Sequence, residues 1–382
     1  MIDNDRTAVA QVDVLMDGAT MARMLTTEGP PDEEQVGFLL DVLAAAPDEA
    51  LDFVAGQVEC HTARGGDLDP LVAALRSQAR GIHARAAAAF VAARAAEGAG
   101  ESETARHLID QVLDLRPDLV PALRDAAGYA AARGDYLTAD GHLRRTGSPH
   151  SLQPGVAEVL AATDMDAAPR NSPCPCGSGR KFKMCCRRGA VPSLGTRAQL
   201  LYALVGNYGE RAPGVEIVRR LAGDTTDHAH LMFCLDLAIF PGGLVDRFLA
   251  ARGQWLRPDE RDLIDRWRAV PVTLYEVVEV RRDAGVTLRA LPGGAPVHVA
   301  DRLFSTCVMR HQLFCGRLLH DDSSPRILAL PVVVARNRCH ALLNLLAAAP
   351  STEQIAGFLS SGIDRGALEP ATRADPTPTT LC

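Results

Sequence analysis

Lysine is almost missing from this chain. Of its 40 basic residues all but two are arginine, and the two lysines, Lys181 and Lys183, stand within three positions of each other. No lysine remains elsewhere to serve a Walker A loop or to form a Schiff base, which removes P-loop NTPases and pyridoxal enzymes from consideration. Aromatic residues are scarce at 4% while alanine is abundant, so Ala-rich helices here reflect a compositional bias and say little about activity. No apolar run approaches the ~18 residues that a membrane-spanning helix needs. The opening MIDNDRTAVAQVDV is acidic and lacks an apolar stretch behind a positive one, so no secretory signal is expected. Cys382 is the last residue, not the fourth from the end that a prenylation box requires. There is no G-x-S-x-G, no H-E-x-x-H, no G-x-G-x-x-G in a strand-turn-helix setting, and no carboxylate pair that stands out as an acid/base couple. These absences together predict a cytoplasmic, non-enzymatic protein with neither membrane nor nucleotide partner.

What is present is ordinary in bulk. The chain has 382 residues, 47% hydrophobic and 23% charged, with a formal net charge of −7. That length predicts two or three domains with substantial cores. Ten cysteines in a reducing compartment do not imply a disulfide framework. Cys60, Cys234, Cys307, Cys315, Cys339 and Cys382 are scattered and read as small buried hydrophobes.

Residues 1–165 read as helices, with a repeat at a period of 34. Gly66, Gly100 and Gly134 fall at that interval, and Asp67, Glu101 and Asp135 follow them. Leu71, Ala105 and Ala139 come five residues after each glycine, and Leu75, Ile109 and Leu143 nine after. A glycine that adopts a left-handed conformation ends a first helix at little cost, and a small residue early in the second lets it lie close to its neighbour. The pattern resembles the tetratricopeptide family over roughly residues 52–147, without that family's large aromatic near the start of each first helix. The resemblance implies helix pairs that stack to bury their faces and offer a surface to a protein partner; a plain Ala-rich bundle is the alternative.

Residues 147–173 are rich in Pro, Gly, Ser and Asn and read as a linker with one short helix near 156–162. Helical periodicity returns over 195–270 and gives way to alternation. In VTLYEVVEVRR the expected apolar face is Val272, Leu274, Val278 and Val280. GVTLRAL, APVHVAD, QLFCGRLLH and RILALPVVV follow, predicting about five short strands in an antiparallel sheet or partly closed barrel. Helices at about 336–348 and 351–361 close the fold. From Pro370 the tail, PATRADPTPTTLC, reads as disordered.

Four cysteines crowd one stretch, CPCGSGRKFKMCC. Cys174 and Cys176 are one residue apart; eight residues later come Cys185 and Cys186. Four thiolates form the tetrahedral shell that structural Zn²⁺ prefers. Gly177 and Gly179 allow a tight turn beside the first pair. A segment this short cannot bury a core, so metal would have to fold it. A redox pair would need C-x-x-C spacing, which is absent, and an iron–sulfur cluster is the other reading of four thiols. The pattern C-P-C-G-S-G-x-K-F-K-x-C-C resembles the SEC-C zinc-binding motif, named for the tail of the bacterial secretion motor ATPase. The resemblance covers about 14 residues and implies Cys174, Cys176, Cys185 and Cys186 as ligands of Zn²⁺. It also implies Lys181, Phe182 and Lys183 as part of a presented surface, with Arg180 beside them. In the motor that tail engages an acidic face of the export chaperone, and ribosome contact is attributed to it. Here the motif is internal and no motor domain surrounds it.

From Arg170 to Arg188 there are six basic residues and no acid. With four thiolates and one Zn²⁺ the segment keeps a charge of about +4. Those cations either balance the thiolates or face an acidic protein or RNA. Phe182 either covers the metal or meets a partner. Elsewhere, His228, His230, Cys234 and Asp236 cluster in DHAHLMFCLD, and Cys307, His311 and Cys315 are spaced by four; both read as core.

The expected architecture is multidomain and mainly α. Residues 1–150 form a tetratricopeptide-like repeat domain, 151–172 a linker, 173–189 a SEC-C zinc knuckle, 195–362 a C-terminal α+β domain with a small antiparallel sheet, and 363–382 a disordered tail. The expected function is a zinc-binding adaptor whose repeats bind a protein partner and whose knuckle meets an acidic surface, in quality control, export or translation. The alternative is an RNA- or ribosome-associated zinc protein. The third reading, an enzyme in the C-terminal region, has no visible motif.

Overall fold

The computed structural model describes residues 32–163, 171–173, 180, 181, 184, 192–209, 211–321 and 324–361. The helices preceding the sheet are α1 (Glu33–Ala45), α2 (Asp48–Ala63), α3 (Asp69–Gln78), α4 (Gly81–Gly98), α5 (Ser102–Leu115), α6 (Val120–Ala132), α7 (Tyr136–Arg145), α8 (Gln153–Thr163), α9 (Leu194–Gly209), α10 (Ala212–Ala222), α11 (His228–Ile239), α12 (Leu244–Arg252) and α13 (Pro258–Arg268). Strands β1 (Thr273–Arg281), β2 (Gly285–Ala290) and β3 (Pro296–Val299) follow, then α14 (Arg302–Cys307), β4 (Leu313–Gly316), β5 (Leu319–His320), β6 (Pro325–Arg326), β7 (Val332–Val334), α15 (Cys339–Ala347) and α16 (Thr352–Ser360). The chain is mainly helical with a small antiparallel sheet toward its C-terminal end, as its periodicities predict. It divides into two compact units, Met1–Ile217 with Ala238–Ile264, and Val218–Leu237 with Asp265–Cys382.

In the first unit the helix pairs are set by glycine. Gly100 (φ 83°) and Gly134 (φ 80°) are left-handed. Past each, the chain makes the same bonds: the Glu101 amide donates to the Ala96 carbonyl at 2.8 Å, and the Asp135 amide to the Ala130 carbonyl at 2.9 Å. A residue with a side chain is strained in that conformation, so glycine ends both helices. Asp135 then caps α7 by accepting from the Thr138 amide. The earliest copy differs from expectation by one position. There Gly65 (φ 87°) is the left-handed residue, and the Gly66 amide bonds back to the His61 carbonyl. Gly66 thus takes the place that Glu101 and Asp135 hold in the later copies. The second helices dock as the spacing predicts: Ala105, Ala139, Ile109, Leu143, Leu71 and Leu75 are all buried.

The stretch read as a linker contains α8, longer than expected and packed. Leu152, Val156 and Val159 are fully buried. α8 lies so close to α9 that a Cβ at Gly155 would stand 2.8 Å from the Leu200 Cα. These residues therefore belong to the helical body.

In the second unit the sheet order is β3-β2-β1-β4-β7, all antiparallel, with β5 and β6 forming a separate two-stranded ribbon. Among the described residues seven strands replace the five expected, because QLFCGRLLH and RILALPVVV each break into two. The predicted alternation of β1 also fails midway. Val277 faces Leu288 and the next pair is Glu279 with Thr287, so Val278 is the extra residue of a bulge. The bulge turns Val277 inward, fully buried, and leaves Val278 half-buried. Val277, Val286, Leu288, Val299, Val308, Phe314 and Leu318 form one core cluster of this unit.

Candidate metal centre

Of the residues proposed for the metal and its surroundings, Arg180 and Lys181 lie within the described chain and are exposed. Cys174, Cys176, Cys185, Cys186, Gly177, Gly179, Phe182 and Lys183 lie outside the described residues, as do Cys382 and the tail from 363. The flanks of the cluster carry two observations. Pro173 and Lys181 form an isolated antiparallel bridge. The Met184 amide donates to the Lys181 carbonyl at 2.8 Å, a three-residue turn. The residue before Cys174 is thus paired, antiparallel, with a residue four positions before Cys185. By their chemistry alone, four closely spaced thiolates are a donor set that suits a tetrahedral divalent ion, since soft thiolates select zinc over hard-ligand metals.

The setting of this segment differs from a tether between bodies. Residues 164–193 depart from α8 and return to α9, two helices packed on each other in the first unit. The return is clamped. Arg197, near the start of α9, is buried, and its Nε donates to the Pro192 carbonyl at 3.0 Å. Its remaining guanidinium nitrogens pair with Asp259 and Glu260 in the first turn of α13, where negative charge also suits the helix dipole.

The other candidate clusters do not assemble. Among the described residues no group of three or more His, Cys, Asp or Glu could hold a metal. His230 Nε2 lies 3.5 Å from Cys234 Sγ, both fully buried on α11, while His228 is exposed. Burial pushes the Cys234 thiol up to about 12 and lowers His230, so the pair is neutral core. Asp236 instead binds Arg317 at 2.8 Å. Cys315 is buried, but Cys307 is exposed at the end of α14, contrary to the core reading. His311 is exposed too, turned to φ 69°, with Nδ1 3.2 Å from Glu276.

Sequence reasoning missed the main polar feature of the first unit. Glu59 on α2, Arg94 and Glu97 on α4, Asp125 and Tyr129 on α6, Arg211 after α9 and Arg252 at the end of α12 are all buried together. Arg94 meets Asp52 at 2.6 Å, Glu59 at 3.0 Å and Asp125 at 2.9 Å. Arg211 lies 3.4 Å from Glu59 and 3.3 Å from Asp125. Tyr129 donates its hydroxyl to Glu97 at 2.7 Å. Burial would raise Glu97, but Arg252, Arg211 and the Tyr129 hydroxyl outweigh it and hold the carboxyl at about 2. A signal existed: Arg94 and Glu97 are the two charges set into the apolar run AAAAFVAARAAEG.

The comparisons with known proteins agree with the cysteine spacing. The SEC-C motif matches residues 170–188. The protein translocase subunit SecA of Clostridium beijerinckii is 30% identical over 90 residues, 24% of this chain and 10% of that protein. The chain thus spans about a tenth of the length of the curated relative it matches. No solved structure matches it. Among the described residues no single helix is long and apolar enough to cross a membrane. The chain is similar to a translocase subunit over a short stretch and carries a motif of the zinc-binding type.

Proposed function

We propose that the chain is a non-catalytic zinc-binding adaptor. Cys174, Cys176, Cys185 and Cys186 hold one Zn²⁺, and Arg180, Lys181, Phe182 and Lys183 form the surface that meets an acidic protein. The observation that carries this reading is the SEC-C match over 170–188, which coincides with the Pro173–Lys181 bridge. The similarity to SecA favours a role near protein export, with quality control and translation as related settings. The helix pairs ended by Gly100 and Gly134 support the tetratricopeptide-like reading of the array, with small buried Ala105 and Ala139 at matching places. Zn²⁺ would supply structural cross-linking here, fixing the cationic loop relative to the two helices that anchor it.

The test is affinity capture with the intact chain beside Cys185→Ser and Lys181→Glu/Lys183→Glu variants, using an acidic peptide and a single-stranded RNA as probes. The reading requires peptide retention that both changes abolish. Binding to RNA alone, falling steeply with salt, would transfer the protein to the ribosome- or RNA-associated reading.

A further inference from the structure

Among the described residues of the first unit, Arg252 is the most completely enclosed cation. Only 1% of its side chain is exposed, and its Nε and Nη2 both donate to Glu97 Oε1, at 3.0 and 2.6 Å. Its guanidinium carbon lies 4.8 Å from the Tyr129 ring centre and 5.2 Å from that of Tyr208. Tyr208 is itself packed on Phe248 of α12, with ring centres 5.7 Å apart. Gly128 of α6 borders the same side chain, where a Cβ would make ordinary contact with Arg252 Nη1 at 3.7 Å. One carboxylate and two aromatic faces are the parts of a site that reads a guanidinium rather than a bare positive charge.

The walls of this site belong mostly to the helical array and the ligand does not. Glu97 comes from α4, and Tyr129 and Gly128 from α6, at a face shared with Glu59 of α2 and Asp125 of α6. Left alone, that face would present Glu59, Glu97 and Asp125 against the single cation Arg94. The two cations that complete it, Arg211 and Arg252, arrive from after α9 and from α12, more than 40 residues beyond α8. They fit unequally. Arg252 has bonds in good geometry, whereas Arg211 Nε and Nη2 are buried without a hydrogen-bond partner and sit only in the field of the acids.

We propose that the shared face of α2, α4 and α6 is an arginine-binding site whose ligand is the chain's own Arg252, so that this face is filled from within and does not receive a partner's arginine. The array's acidic face is occupied by a covalently attached guanidinium. The site exists whether or not the cysteines hold metal. What it changes is which surface the adaptor has left to offer.

Arg252→Ala should vacate the site. In the full-length variant the thermal midpoint should fall by about 10 °C. Millimolar methylguanidinium should restore at least half of that loss, and methylammonium should not. Calorimetry should show N-acetylarginine amide binding to the variant and not to the unaltered chain. Arg252→Lys keeps the charge and loses the planar fork, and should fall at least half as far as Arg252→Ala. A lysine variant as stable as the unaltered chain would overturn the proposal, because charge balance alone would then suffice. A folded alanine variant indifferent to both additives, or equally responsive to both, would overturn it too. Should the alanine variant fail to fold, the lysine variant decides.

Discussion

Two stretches of the first unit concentrate charge, and they resolve it in opposite ways. Around Arg94 and Arg252 cations and carboxylates come from four helices and the turn after α9, are paired by the chain itself, and are shut away from water. Between Arg170 and Arg188 the charges are of one sign, next to four thiols, and no acid stands within the segment. The first stretch needs long-range folding and nothing from outside. The second, on the proposed reading, would need an ion to fold and an acidic surface to meet its cations. On that reading a self-sufficient body is set against a metal-dependent segment that lies, in sequence, between two packed helices of that body.

The largest effect should come from leaving the internal cluster uncompensated. Glu97→Ala strands Arg252 and the Tyr129 hydroxyl, and should cost about 3–5 kcal/mol in denaturant unfolding. The double change Glu97→Leu/Arg252→Met should cost clearly less than the sum of its singles. Additive losses would mean that the pair is not coupled.

Acid should attack the same cluster at an unusually low pH. Glu97 is held at about 2 against an ordinary 4.5. A depressed carboxyl contributes stability that is fully present above about pH 4.5 and lost as pH falls toward 2. Unfolding curves of the unaltered chain and Glu97→Gln should thus differ by a constant amount above that window and converge through it. A difference that instead grows toward low pH would contradict the assignment.

The helix-pair geometry predicts smaller, signed effects. Gly65→Ala and Gly100→Ala place a side chain in the left-handed region and should each cost about 1 kcal/mol. Gly37→Ala, mid-helix in α1 with open space around it, should gain about 0.5 kcal/mol. If Gly65→Ala proves neutral, the earliest helix pair does not end as the later ones do. The smallest effect should be chelation: removing metal should move the unfolding midpoint of the helical body by less than about 0.5 kcal/mol equivalent, because that body supplies its own ions. A larger shift would mean that loop and body share one cooperative unit.

Much of this was legible in the sequence, and the failures have local causes. Glycine spacing located the helix pairs, because left-handed backbone is costly for other residues. It missed by one at Gly65-Gly66, where two adjacent glycines could each take the turn. Period-two alternation found β1 but misassigned Val278, since a bulge leaves no mark in an apolar-polar pattern. The cysteine run was readable because its four thiols are close in sequence. The internal cluster was not, because Glu97 and Arg252 lie 155 residues apart and each alone resembles a surface charge. His311 and Cys307, read as core from their apolar neighbours, are exposed, His311 at a turn with positive φ and Cys307 at the end of α14.

The most direct test of the dependent loop is elemental analysis of the reduced, full-length protein after dialysis, beside the Cys185→Ser variant. The account predicts about one zinc per chain, largely lost in the variant while the helical circular dichroism stays unchanged. Metal-free protein that still binds the acidic probe, or zinc retained without Cys185, would contradict it.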